Sequence, residues 1–545
     1  MASAVIPLLL FPACLGQLPA SDDVPRLWPQ PRSVPEFLGN SSSLALSTSF
    51  MMTADEPSDI LAYNLKYYRE IIFVRDATLP TTPTKPVDQL RVVVDVEAKP
   101  DEYPYLGMDE SYTLAIASPV SELRANTTWG AIRGLETFSQ LIQMNRALVI
   151  RGGGKGFTIT DAPKFPWRGL MIDPARHFIP VDDILRTIDA MAQNKLNTLH
   201  LHLTDGESFS VDTQSWSMFR ELSVKGAYAP GVAYSASNLR SIVAHARLRG
   251  VRVIPEFDLP AHMASWAQGV PDIITDCPSV NPYPQWPRYY SPANPANERL
   301  YEVIETILSE LHEVFPDSNW HVGGDEPHEA CWDANAEVRT FKLKHGNMTN
   351  DDLYVYFENR YLQILQKYNK SRIGWDEIFT IGGGIAKNDS STIVHVWNGN
   401  EKLADVVAAG LRGIVSSKWY LNDGGDWSSY YTDDPLSYVA KSSHRELVLG
   451  GEACMWASAF DMSSNMEPAI WPNAAAMAEQ LWSEKIESID HARTRLSQQR
   501  CRMVRRGVRA SPIAEDLCMR NIYVRKSRSF AYPGDFPVSP DTPGP

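Results

Sequence analysis

Beyond its first residues the sequence has no apolar stretch near the roughly 20 residues that a bilayer-spanning helix needs. Membrane spans are therefore excluded. It also lacks basic character: 51 Lys and Arg stand against 65 Asp and Glu, a net charge of -14. Phosphate backbones demand a basic surface, so nucleic acid is excluded as a partner. Cysteine is scarce, six in 545 residues. No Cys-x-x-Cys and no His-Glu-x-x-His occurs, so these zinc and redox motifs have no support.

What is present belongs to a globular protein. Hydrophobic residues make up 44% and charged residues 21%, and the length predicts two domains. Fifteen Trp and 22 Tyr can be core, or can stack on flat ligands such as sugar rings. Ala4 to Gly16 is an apolar run of signal-peptide length without a basic start, and residues 1–20 read as a signal peptide. Sequons at Asn40, Asn126, Asn347, Asn369 and Asn388 favour a glycoprotein of the secretory route, extracellular or lysosomal/vacuolar. Setting Cys14 aside leaves an odd number of cysteines. Cys501 and Cys518 are close enough to pair locally, Cys277 and Cys331 each follow strand-like runs, and Cys454 reads as a buried free thiol.

Residues 21–160 mix helix and strand patterns. Ile60, Leu61, Leu65, Tyr68 and Ile72 recur at helical spacing, as do Trp129, Ile132, Leu135 and Phe138 within 128–143. Leu90–Val96 and Tyr112–Ala117 read as strands, and a strand pair flanks the glycines at 152–154. This is a small α/β accessory domain with no obvious catalytic cluster. From 161 to 525 the pattern changes to short apolar runs, each followed by a helical segment. The runs fall at 169–173, 198–203, 252–257, 320–323, 372–375, 392–397, 413–417 and 447–451. Eight β-then-α units predict a closed (β/α)₈ TIM barrel, whose active site lies at the C-terminal strand ends. Residues 526–545 form a Pro-rich tail.

Those strand ends carry polar or aromatic groups throughout: Arg176, Asp205, Asp258 with His262, Asp325-Glu326, Trp375-Asp376-Glu377, Trp397, Trp419-Tyr420 and Trp456. Any one of them has a plain reading as a helix cap or a core residue. The centre is Asn319-Trp320-His321-Val322-Gly323-Gly324-Asp325-Glu326, followed by Pro327. Adjacent carboxylates repel, so one pKa rises and the other group stays ionised: an acid beside an anion.

His321-Val322-Gly323-Gly324-Asp325-Glu326 resembles the signature of the β-N-acetylhexosaminidases, glycoside hydrolase family 20. Arg168-Gly169-Leu170 with Asp173 and Arg176, His200, His202 and Asp205, Pro255-Glu256-Phe257-Asp258 with His262, Trp375-Asp376-Glu377 and Gly450-Gly451-Glu452 with Trp456 carry the resemblance across about residues 160–520. It implies an exo-acting, retaining enzyme in which the substrate's 2-acetamido oxygen attacks the anomeric carbon, giving an oxazolinium-type intermediate. By the same resemblance Glu326 is the general acid and base, and Asp325 orients the acetamido group. Asp205 and His262 support the acid. Arg176, Trp375, Trp397, Trp419, Tyr420, Asn422 and Trp456 bind the sugar, and Cys277–Cys331 and Cys501–Cys518 are the disulfides. The implied substrates are β-linked N-acetylhexosamine glycans or chitooligosaccharides, with no metal and no organic cofactor. Family members often form homodimers.

Some positions depart from the family pattern. Ser458 stands where many members have a hydroxyl-binding glutamate, and Asn422 where many have aspartate. Asp423 stands where a member acting on acidic glycolipids has arginine, and an anion there repels sialylated or sulfated substrates. Two other readings compete. One is a glycan-binding protein on a catalytically dead barrel, which Ser458 keeps open. The other is a metal hydrolase using His321, Asp325, Glu326 and His328, for which no ligand spacing is present.

Overall fold

The computed structural model describes residues 26–33, 44–73, 86–144, 148–150, 156–212, 220–280, 290–384, 389–457, 462–513 and 518. The signal segment, the Pro-rich tail, the glycines at 152–154, Asn40, Asn388 and Ser458 lie outside them.

The first sheet uses β1 (Leu44–Ala54), β2 (Pro86–Val96), β3 (Tyr112–Ile116), β4 (Val120–Thr127), β5 (Ile142–Met144), β6 (Leu148–Ile150) and β7 (Phe157–Asp161), in the order β5-β6-β1-β2-β4-β3-β7. The two strands around the glycines are not partners. β6 pairs with β1 and β5, whereas β7 pairs with β3 on the other half of the sheet. The second predicted helix ends at Leu141, because residues 142–144 leave it to join the sheet. β1 and β4 escaped the sequence reading. The buried face of β4 is Ser121, Leu123 and Ala125, mostly too small or polar to register as an apolar alternation.

The barrel strands are β8 (Trp167–Ile172), β9 (Thr198–His202), β10 (Arg252–Glu256), β11 (Asn319–His321), β12 (Ser371–Trp375), β13 (Ile393–Val396), β14 (Arg412–Val415) and β15 (Val448–Met455). All pair in parallel, and β8 closes the ring between β15 and β9. Six of them are buried along their whole length and β14 along all but its first residue, and so they read as short continuous apolar runs rather than alternations. β12 is buried except at its first residue.

The small domain does carry converging polar groups, but they face the base of the barrel. Buried Glu110 takes the Arg133 guanidinium at 2.9 Å and the Arg168 guanidinium, at the start of β8, at 2.6 Å. Burial would push the Glu110 carboxyl up, yet the two arginines outweigh it and hold it below its ordinary value. Arg133 also donates to the Gly250 carbonyl just before β10. Lys195, before β9, meets Asp161 at 2.9 Å. These contacts fix the small domain to the N-terminal strand ends and leave the opposite mouth free. Cys277 is bonded to Cys331 and Cys501 to Cys518, and Cys454 is a buried free thiol. Disulfides fit an oxidising, secretory compartment. Asn126, Asn347 and Asn369 are exposed. Among the described residues no helix is long and apolar enough to cross a membrane.

Candidate active site

Past the end of β11 the backbone leaves strand geometry. Gly323 has φ +73° and Gly324 φ +106°. At Gly323 a Cβ would come within 1.7 Å of Asp258 Oδ1, so only glycine allows this turn. Its neighbours hold it from both sides. Gly324 N–H donates to Asp258 Oδ1 at 3.1 Å, Tyr354 Oη donates to the Gly324 carbonyl at 2.7 Å, and Trp375 N–H donates to the Gly323 carbonyl at 2.8 Å. Asp325 and Glu326 therefore leave one rigid turn instead of pointing to opposite faces as strand neighbours would. Glu326 itself sits at φ +51° and His262 at φ +55°, conformations that cost energy outside glycine and cluster at functional sites.

The pair is unequal. The Asp325 side chain is 12% exposed and that of Glu326 60%. Between them stands the His262 imidazole, whose Nε2 lies 3.6 Å from Glu326, 3.7 Å from Asp325 and 3.9 Å from Asp258. Its Nδ1 faces Asp205 at 3.3 Å. Asp205 in turn receives Arg176 at 2.7 Å and His202 Nε2 at 2.9 Å. Burial would raise the Asp205 carboxyl, but Arg176 and His262 hold it well below its ordinary value. Burial, then Asp258, push Asp325 well above its ordinary value. Nearby His262 lowers Glu326. The split expected of adjacent carboxylates is present, with the inner one raised and the outer one lowered in the unliganded site.

An aromatic wall faces this pair. Met171, Trp375 and Cys454 pack with Trp397, Tyr420 and Trp456. Trp456 lies 5.8 Å from Trp375 and 6.1 Å from Tyr420, centroid to centroid, and Arg176 stacks over it at 4.7 Å. A flat aromatic wall with one guanidinium and two carboxylates suits a sugar ring.

The comparisons agree with that geometry. Residues 165–485 match "Glycosyl hydrolase family 20, catalytic domain", and residues 27–141 match "beta-acetyl hexosaminidase like". The chain is similar to the beta-hexosaminidase subunit beta of Felis catus, 39% identical over 90% of this chain and 93% of that one. It is also similar to the beta-hexosaminidase subunit alpha of Bos taurus, 40% identical over 78% of this chain and 81% of that one. Among solved structures it is similar to a Flavobacterium johnsoniae chitobiase, with TM-score 0.76 and 29% identity over 89% of this chain and 73% of that one. The chain belongs to glycoside hydrolase family 20, the β-N-acetylhexosaminidases.

Within this hexosaminidase the barrel brings together most of the residues picked from sequence. Trp419 is the exception. It is fully buried, donates its indole N–H to the Tyr430 carbonyl at 3.2 Å, and belongs to the main core. The reason is local: its carbonyl accepts from Cys454 N–H at 3.0 Å, which folds residue 419 under β15 and leaves Tyr420 to face the wall. Asn422 Nδ2 donates to Asp423 Oδ1 at 3.0 Å.

Three residues went unassigned in the sequence. Glu377 accepts the Trp397 indole N–H at 3.0 Å. Glu256 accepts the Trp375 indole N–H at 2.8 Å and lies 3.0 Å from His200 Nε2. Tyr354 comes from the helix Asn350–Lys367. Glu256 and Glu377 were visible as members of motifs, without a role. Tyr354 looked like any aromatic on an amphipathic stripe.

Several of these groups make stability depend on pH with one sign. Burial lifts Glu358 to about 7, and burial with Asp325 lifts Glu377 to about 8. Burial would lower His200, but Glu452 and Glu256 outweigh it and lift it to about 9. A carboxyl raised in the fold keeps a proton that the unfolded chain releases near its ordinary value, so stability falls as pH rises from there toward 7 and 8. A raised imidazole stabilises fully below its ordinary value and loses that contribution as pH climbs toward 9. Both slopes point the same way. His321 and His395, which burial lowers, oppose this only below the ordinary imidazole value of 6.5, so the thermal midpoint is expected to be higher at pH 6.5 than at pH 8. Calorimetry across that window checks it, and a midpoint that rises toward pH 8 contradicts it.

Proposed function

We propose that the enzyme removes terminal, non-reducing β-linked GlcNAc or GalNAc with retention, using the substrate's acetamido oxygen as nucleophile. The observation that carries this reading is the placement of Asp325 and Glu326 on one turn, the first enclosed and the second open. Neighbours on one turn cannot flank an anomeric carbon from opposite faces, as an acid and a separate protein nucleophile must. They can serve a leaving oxygen and a 2-substituent, which are close together on one sugar.

On this reading Glu326 protonates the departing oxygen and then takes a proton from the incoming water. Asp325 accepts the acetamido N–H and balances the charge that develops on the oxazolinium ring. Tyr420 donates to the acetamido carbonyl, and Trp375, Trp397 and Trp456 enclose that group. Arg176 and Asn422 bind hydroxyls, and Asp205 orients His262 beside the acid. The unliganded protonation order suits a switch on binding. An acetamido N–H favours ionised Asp325, and a sugar covering Glu326 removes its water and favours its protonated form.

Asp423 beside Asn422 favours neutral over acidic glycans. The disulfides and the exposed sequons support an extracellular or lysosomal setting.

The test compares chromogenic β-GlcNAc and β-GalNAc glycosides with the β-glucoside of the same leaving group, with and without chelator. Turnover of the first two that survives chelator, with none on the glucoside, is expected. A well-folded protein without turnover would support the glycan-binding reading. Loss with chelator would support a metal hydrolase.

A further inference from the structure

On its Nδ1 side His262 meets Asp205, but the groups facing its Nε2 stand farther off. Three carboxylate oxygens, of Glu326, Asp325 and Asp258, lie 3.6, 3.7 and 3.9 Å from Nε2, whereas an N–H···O bond needs roughly 2.7–3.2 Å. Asp258 Oδ2, Asp325 Oδ1 and His262 Nε2 are buried atoms without a hydrogen-bond partner. Asp258 is 1% exposed. Its Oδ1 is occupied by the Gly324 N–H, which turns the unpartnered Oδ2 toward the imidazole. Asp258 Oδ2 and His262 Nε2, both buried and unpartnered, face each other with carboxylate oxygens of Asp325 and Glu326 alongside, an arrangement that offers lone pairs to a cation.

We infer that this cluster is a binding site for a zinc-class divalent cation, held by His262 Nε2 and the carboxylates of Asp258 and Asp325, with exposed Glu326 turning in as the fourth ligand, and that its occupation inhibits the enzyme. Zinc takes four N and O ligands at about 2.0–2.2 Å in a tetrahedron. The edge of such a tetrahedron is about 3.4 Å, so the three distances from Nε2 need to contract by a few tenths of an ångström, and the ligand atoms of Asp258, His262 and Asp325 already lie within 4.8 Å of one another. The second layer is already built. Metal-bound histidines donate their other ring N–H to a carboxylate, and His262 Nδ1 faces Asp205, itself held by Arg176 and His202. One imidazole with carboxylates suits zinc over magnesium or calcium, which take oxygen ligands. Three further clusters of candidate ligands occur among the described residues, and each is buried throughout, whereas this one includes partly exposed His262 and adjoins open Glu326. The inhibition rests on the hydrolase reading of Asp325 and Glu326, since a cation there occupies the proton donor and the acetamido anchor together. The binding does not rest on it.

The experiment uses the full-length enzyme and zinc chloride in a non-coordinating buffer. Calorimetry measures zinc binding, and initial rates with a chromogenic β-GlcNAc substrate measure inhibition. Expected are one tight zinc per chain, displacement of zinc by excess N-acetylglucosamine, inhibition competitive with substrate and reversed by chelator, and no effect of magnesium. Asp258→Asn and His262→Gln should each weaken zinc binding by about tenfold or more. Cobalt(II) should give the visible absorption of a tetrahedral site and lose it in both variants, provided each retains its far-ultraviolet circular dichroism. Zinc binding that persists with the cleft filled by N-acetylglucosamine, or that is unchanged in both variants, overturns the inference. Absence of turnover without any metal would instead defeat the hydrolase reading and leave the binding result interpretable.

Discussion

Glu326→Gln is expected to lower kcat on a β-GlcNAc substrate with a poor leaving group by a factor on the order of 10²–10⁴, the usual contribution of a positioned acid. Gln keeps the shape of the side chain and removes the proton. The side chain is 60% exposed, so the change costs the fold little, and the loss belongs to the chemistry. The dependence on leaving group is the sharper reading. An aryl oxide of low pKa departs with little help from an acid, so the variant should lose less on it than on an alkyl glycoside. Equal losses on both substrates, or no loss, would remove Glu326 from the acid role. The control is the thermal midpoint, which should stay close to wild type.

Asp325→Asn is expected to be the second large effect, lowering kcat by a factor on the order of 10²–10³ while product affinity changes little. The unliganded site explains why this variant should fold. Burial and Asp258 push the Asp325 carboxyl well above its ordinary value, so the free enzyme favours the protonated group there, and an amide of the same size replaces it at little cost. The anion is needed when charge develops on the acetamido group. Stopped-assay kcat and KM together with N-acetylglucosamine titration separate the two stages. Normal turnover with weak binding would make Asp325 an ordinary binding residue.

Much of this architecture is local in origin and was legible for that reason. Eight short buried runs announce eight parallel strands, because strands covered on both faces are apolar along their whole length. Gly323-Gly324 before Asp325-Glu326 announces a turn that only glycine allows. The N-terminal sheet was harder. Its order depends on which strands of similar composition meet, and β4 buries Ser121 and Ala125 where an apolar alternation would have been recognised. Trp419 was counted among the sugar-binding residues from the family resemblance. Only the bridge to β15 turns it into the core and leaves Tyr420 outward.

By itself the sequence determined the strand runs, the glycine turn and the presence of two neighbouring carboxylates. The tertiary structure decided how those carboxylates differ. Asp325 is raised because it is buried and because Asp258 arrives from the end of the neighbouring strand β10, and Glu326 is open and lowered because His262 from the same connection stands beside it. Adjacent carboxylates must differ, and that follows from their adjacency. Which of them takes the proton depends on burial and on charges 67 and 64 residues away in the chain, and those meet the pair only once β10 has paired with β11.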